Sequence, residues 1–283
     1  MSKQASIGSW IGAVVVVLAV VVAGVYLARR AMHLEHQAAN VPAAASSAAP
    51  SSTAAPIQHP ISQANTGPAA ASTAALPALD DSDASVASTL ARLAGGADLS
   101  PLLVRQQIIR HIVATVDAMP RHDLGVGVLP ARTPKGAFIT AEVDGRKVIG
   151  SENAARYAPY MQVVEDADPQ ALVAWYVQSY PLFQQAYRQL GYPKGYFNDR
   201  LIAAIDNLLA TPELAQPAAL VPSKGFYAYA DPALESLSSG QRMLLRSGPA
   251  NEAKIKAKLR AIRVLLTAQE MPATPASTAA AAG

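Results

Sequence analysis

Phenolic hydroxyls are the most concentrated chemistry in this chain. Seven of its ten tyrosines (Tyr157, Tyr160, Tyr176, Tyr180, Tyr187, Tyr192 and Tyr196) lie between positions 157 and 196, with Trp175 and Phe183 among them. Tyrosine joins a large apolar face to a polar tip, so such a band suits a groove for a partner or a glycan. It suits helix packing equally, with each hydroxyl near the surface, and packing is the favoured reading. Next to the band stands Gly195-Tyr-Phe-Asn-Asp-Arg200, whose Asn198, Asp199 and Arg200 form a compact polar group. Here too a structural account comes first. Asn198 suits a helix N-cap, Phe197 with Ile202 matches a hydrophobic staple, and Asp199 complements the helix dipole.

The remaining polar groups point less clearly to chemistry. Asp80, Asp81 and Asp83 lack the glycine and the distal glutamate of a calcium loop, so they mark the start of a helix rather than a metal site. His111 and His122 have no second histidine at ligand spacing. No serine occupies a G-x-S-x-G turn. Lys254, Lys256, Lys258, Arg260 and Arg263 read as a solvated helical face, with contact to anionic lipid as the alternative. The chain has no cysteine, which excludes disulfides, thiolate metal sites and cysteine nucleophiles. No catalytic set, metal or cofactor is indicated. A net charge of +3 with interspersed signs gives no field for nucleic acid, and none is expected as a partner.

These residues need a scaffold, and its organisation is uneven along the chain. After a short tail over residues 1–9, Trp10 to Ala28 is uncharged and apolar. Its length matches a bilayer core of about 30 Å, with Trp10 and Tyr26 at the interfaces. Residues 10–28 are therefore expected to be an uncleaved transmembrane anchor contacting lipid. A cleaved signal peptide would have a shorter apolar run behind a more basic start. Arg29 and Arg30 favour a cytoplasmic C-terminal side by the positive-inside rule. The short preceding tail and the character of the linker favour the periplasm, which is the side expected. Residues 29–79 are rich in Ala, Ser, Pro and Thr, cannot bury enough apolar surface to offset their ordering entropy, and read as a disordered spacer. Residues 269–283 read as a disordered tail.

Residues 80–268 hold one mainly helical domain with one or two small β-hairpins. Val86, Leu90 and Leu93 share a face of a helix over 84–93. Ser100-Pro101 looks like a cap and first-turn proline, starting a helix over 101–119 that buries Ile108, Ile109, Ile112, Val113 and Val116. Phe138 to Ile149, turning at Asp144-Gly145, reads as a hairpin. Helical pattern resumes over 152–166, with a break at Pro159. It continues from Asp168-Pro169 through Leu172, Trp175, Tyr176, Tyr180, Phe183, Tyr187 and Leu190, with a kink expected at Pro181. A helix over 199–210 follows, then short extended pieces near 219–221 and 226–229. Helices over 232–246 and 249–267 close the domain, the last burying Ile255, Leu259, Ile262 and Leu266.

Six stretches carry a resemblance: Leu76-Pro-Ala-Leu-Asp-Asp-Ser-Asp83, Ile109-Arg-His-Ile-Val-Ala-Thr-Val-Asp117, Glu152-Asn-Ala-Ala-Arg-Tyr-Ala-Pro-Tyr160, Tyr180-Pro-Leu-Phe-Gln-Gln-Ala-Tyr187, Gly195-Tyr-Phe-Asn-Asp-Arg200 and Ala230-Asp-Pro-Ala-Leu-Glu235. Over roughly residues 76–266 the chain resembles a proteobacterial family catalogued as domain of unknown function 3014. The resemblance implies an N-terminal anchor and assigns no activity. Its motif residues Arg156, Tyr157, Tyr160, Tyr180, Tyr187, Tyr196, Asn198, Asp199 and Arg200 are candidates for a shared binding surface. The expected function is a non-catalytic interaction domain displayed in the cell envelope, binding an envelope protein or a cell-wall polymer. The alternatives are an envelope hydrolase acting on a cell-wall or carbohydrate substrate, and a cytoplasm-facing domain on anionic lipid.

Overall fold

The structure is a computed structural model, and it describes residues 56–66, 75–123, 129–223 and 226–268. The expected anchor over 10–28 and the tail after 268 lie outside the described residues. Among the described residues no helix is long and apolar enough to cross a membrane.

The first helix, α1, spans Asp83–Leu93 and buries Val86, Leu90 and Leu93 as its spacing predicts. The next, α2, spans Ile108–Ala118, so the expected start at Ser100-Pro101 is corrected. Residues 101–107 are instead pulled out of helical conformation by pairing with a distant segment. Val104 N–H donates to Pro130 O at 2.7 Å, Arg132 N–H donates to Leu102 O at 2.7 Å, and Leu103 bridges Ala131. The N-terminus of α2 is capped from afar, by Asp83. Its carboxylate accepts from the amides of Gln107 (2.6 Å) and Ile108 (2.8 Å), satisfying donors that a helix leaves open.

Strands β1 (Thr140–Val143) and β2 (Arg146–Ile149) form the expected hairpin, with Thr140 opposite Ile149. Asp144 and Gly145 both adopt positive φ, 51° and 69°, which their residue types tolerate and the strand twist favours. The run over 152–166 splits at Tyr157 into α3 (Asn153–Arg156) and α4 (Ala158–Asp166). Asp168 caps α5 (Pro169–Gln189) by accepting from Gln170 N–H. Helix α5 continues across Pro181, which is exposed, and Leu190 just beyond its end is 42% exposed rather than inward. Helix α6 spans Phe197–Leu209.

Strands β3 (Leu220–Ser223) and β4 (Phe226–Tyr229) make a second antiparallel hairpin, and a bridge between Val148 and Ala219 sets it beside the first. The expected helix over 232–246 is two: α7 (Pro232–Glu235), then α8 (Ser239–Arg246), restarted by a capping box between Ser238 and Gln241. Helix α9 (Pro249–Thr267) buries Ile255, Leu259, Ile262 and Leu266 as expected.

Helices α2, α5, α6 and α9 pack on one another around the main core, with α1, α4 and α8 outside them. The basic stretch of α9 is mostly spent on this packing. Lys256 is only 2% exposed, paired with Glu252 one turn back at 2.7 Å and donating to Thr211 O at 2.7 Å. Lys254 pairs with Glu165 and Arg263 with Asp206, while Arg260 is exposed. The expected solvated face is thus corrected at Lys256, whose charge the fold neutralises in place.

Part of the stretch read as spacer is laid against this bundle. Residues Ile61–Gln63 form a 3-10 turn, Ile61 and Ala64 pack on the core, and Asn65 N–H donates to Leu265 O at 2.7 Å.

Candidate functional site

The nine residues singled out by motif separate into two regions. The first is the junction of α5 and α6. Phe183 stacks on Phe197 at 5.6 Å, Tyr176 meets Phe183 edge-on at 5.3 Å, and Tyr187 stacks on Tyr192 at 4.6 Å. Gly195 lies under the last pair. A Cβ there would sit 3.0 Å from the Tyr187 ring and 3.2 Å from Tyr192, so glycine lets the turn close without moving either side chain. Gln184 ties the turn to α5, donating to Gly195 O at 2.7 Å and accepting from Phe197 N–H at 2.9 Å and Tyr180 OH at 2.8 Å. Tyr196 is half-buried just before α6. Burial raises the phenol of Tyr176 well above its ordinary range, and those of Tyr180 and Tyr187 less far, so all three remain protonated donors.

Asn198 is fully buried inside α6 and does not cap it; Tyr196 stands at the cap position. Its amide oxygen accepts from Tyr176 OH at 3.2 Å, and its nitrogen donates to His59 O at 2.8 Å. Asp199 accepts from the amides of Gln58 (3.1 Å) and His59 (2.7 Å). Arg200 turns the other way, to a carboxylate that sequence reasoning passed over. Asp117, 5% exposed, accepts from Arg200 Nε at 2.9 Å, from Arg121 and from Tyr192 OH at 3.2 Å. Only Arg121, one turn on, is a local partner of Asp117; Tyr192 and Arg200 reach it from the α5–α6 junction, 75 and 83 positions away, which no local spacing announces.

The second region surrounds α3 and α4. The Arg156 guanidinium donates to the carbonyls of Lys135 (3.2 Å), Pro134 (3.4 Å) and Gly136 (2.8 Å) and to Asn153 Oδ1 (3.2 Å). Tyr160 OH donates to Arg132 O at 2.9 Å. Tyr157 is buried, which raises its phenol above the usual range. These bonds fasten residues 132–136, which have no regular structure, to the helices. Between that segment, the 97–104 loop and α4 lies a groove of 1110 Å³. Leu102, Val104, Leu129, Ala131, Pro159, Tyr160 and Val163 give it apolar walls. Arg132 and Lys135, both exposed, join Arg156 to make one part basic, while Asp166 and Asp98 add acidic groups. Asp166 closes α4, nine residues or about 13 Å of helix at 1.5 Å per residue.

His111 also lines the groove, reaching it from α2, and its Nδ1 is buried without a hydrogen-bond partner. Burial holds the imidazole below its ordinary value, against an opposing pull from the Gln106 main chain and the Asp83 charge. A smaller cavity of 390 Å³ lies between the hairpins and the α8–α9 corner, beside Tyr229 and Glu252. Among the described residues no group of three histidines or carboxylates is placed to hold a metal ion.

The matched motifs therefore span both the helical core and one wall of the groove. A family model for a protein of unknown function, DUF3014, matches residues 108–263. The chain belongs to the DUF3014 family. The match takes in His111, Arg132, Lys135 and Arg156 of the groove and the whole α5–α6 junction, whereas the 97–104 wall and residues 56–66 lie before it. No curated protein and no solved structure matches the chain.

Proposed function

We propose that this DUF3014 protein is an interaction domain that binds an extended, acidic peptide segment of a partner protein in the groove between residues 97–104, residues 129–135 and α4. The groove carries this reading. At 1110 Å³ it reaches the upper end of what small-molecule sites use, and its apolar walls end in a basic cluster. An extended peptide rises about 3.3 Å per residue, so roughly four or five residues run the length of α4, which walls the groove. Apolar side chains would take the walls, and an acidic group would meet Arg132 and Lys135 as a charge-assisted contact. Arg156 is a positioning residue here, since its donors hold the main chain of 134–136.

The hydrolase alternative drew on the tyrosine band and on Asn198 to Arg200. Of these, Tyr176, Tyr192, Asn198, Asp199 and Arg200 are engaged with one another, with Asp117 or with residues 58–59, which favours the binding reading over it. The lipid alternative rests on Arg29 and Arg30 and would lay the basic helix on anionic lipid; in that helix Lys256 is buried against Glu252 and Arg263 pairs with Asp206, while Lys254 and Arg260 stay exposed. In our reading residues 10–28 anchor the chain in the inner membrane and the domain works in the cell envelope; reporters fused after Gly283 would test that topology.

The binding test uses the full chain in detergent with five-residue peptides that are acidic, neutral or basic. The proposal expects saturable binding of acidic peptides and at least a tenfold loss in the Arg132→Glu/Lys135→Glu variant. Equal binding of all three peptide classes, or affinity unchanged by the charge reversal, would sink it. Preference for a cell-wall stem peptide over protein-derived sequences would move the partner to the cell-wall polymer.

A further inference from the structure

The segment over residues 57–61 is held in a way that packing alone does not require. Both carboxylate oxygens of Asp199 accept consecutive main-chain amides, from Gln58 and His59. The neighbouring side chain, Asn198, donates to the carbonyl of His59 at 2.8 Å. Asn198 is fully buried and fixed from behind by Tyr176, so its amide nitrogen is aimed before the segment arrives. These are contacts to peptide groups, blind to the Gln58 and His59 side chains. Sequence enters one step later. Pro60 holds φ −59° and ψ 133°, the extended conformation that proline favours, and Ile61 then packs on the core. Preset φ lowers the ordering cost of docking.

We propose that the first turn of α6 is a peptide-recognition site whose ligand is the segment Ile57-Gln-His-Pro-Ile61, bound in cis and exchangeable for the same segment of a second copy. The ligand it takes is an extended stretch with two adjacent amides and a carbonyl, followed by proline and a β-branched aliphatic residue. The receptor side chains lie within the family match and the ligand segment lies before it. The site is remote in sequence from the groove residues, and the inference stands without the groove's proposed role.

The test uses the full chain in detergent and a synthetic peptide of residues 56–65 as the probe, followed by NMR into the millimolar range. The His59→Pro variant deletes the shorter of the two cis donors to Asp199 and leaves the receptor intact. A tethered segment competes at an effective concentration in the millimolar range. The peptide should therefore bind His59→Pro about tenfold more tightly than wild type. Adding Asp199→Ala should abolish that binding, as should proline in place of His59 in the peptide, with folding checked by the denaturation midpoint. Equal affinity for wild type and His59→Pro overturns the proposal. So does binding that survives Asp199→Ala, or the absence of saturable binding to His59→Pro.

Discussion

The α5–α6 junction and the groove beside α4 use the same residue types to opposite ends. At the junction, tyrosine, arginine and carboxylate close on one another. Tyr192, Arg121 and Arg200 converge on Asp117, and Tyr176 is paired with Asn198. At the groove, Arg156 and Tyr160 give their donors to main-chain carbonyls of residues 132–136, and the side chains of that segment are left at the rim. A tyrosine-rich motif is therefore not by itself a site. What separates the two is the cavity: the junction's tips close into packed core, while at the groove they fasten a loop whose Arg132 and Lys135 stay exposed at a cavity.

Substitutions should separate them in the same way. The largest effect belongs to the junction core. Phe183→Ala removes a ring 1% exposed and stacked on Phe197, and should cost about 4 kcal/mol by denaturant titration. Asp117→Ala comes next. It removes a buried carboxylate that accepts from Arg200, Arg121 and Tyr192, and should cost about 2 kcal/mol while leaving peptide binding at the groove intact. Arg156→Ala should cost roughly 1–2 kcal/mol, because a part-exposed guanidinium loses its hydrogen bonds to loop carbonyls and to Asn153, yet it should weaken peptide binding by more than Asp117→Ala does. If Asp117→Ala proved the more damaging to binding, the division into two regions would fail.

The smallest effect is a pH dependence. Burial lowers the His111 pKa below 6.5, so the unfolded chain takes up a proton first as pH falls. The stability that His111 lends is full above 6.5 and is lost as pH falls from there through the depressed folded value. His111→Gln should flatten that arm of the midpoint-versus-pH curve, and an unchanged slope would remove His111 from the account.

Periodicity reveals the core well and the groove hardly at all. The stripes Val86-Leu90-Leu93 and Ile255-Leu259-Ile262-Leu266, the Asp144-Gly145 turn and the Asp168-Pro169 cap are legible because each depends on neighbours within a turn or two. Ser100-Pro101 misleads because residues 102–104 find a better partner in residues 130–132. Asn198 misleads for a similar reason. Its local sequence suits a cap, but a buried contact with Tyr176 and His59 claims the side chain. The groove's Arg132 and Lys135 sit in a segment without periodicity, given shape by Arg156 some twenty positions away, and no spacing announces them. The docking of residues 57–65 is nearly as silent, since its polar contacts use main-chain amides and a carbonyl and only Ile61 and Ala64 add apolar packing.

The most direct measurement is residue-resolved mapping of where an acidic pentapeptide lands on the full chain, by NMR shift perturbation in detergent. The account predicts that the shifts gather at residues 97–104, 129–135 and 155–163, with His111 among them, and leave Tyr187, Tyr192 and Asn198 unmoved. Shifts centred on the α5–α6 junction, with a silent groove, would contradict it.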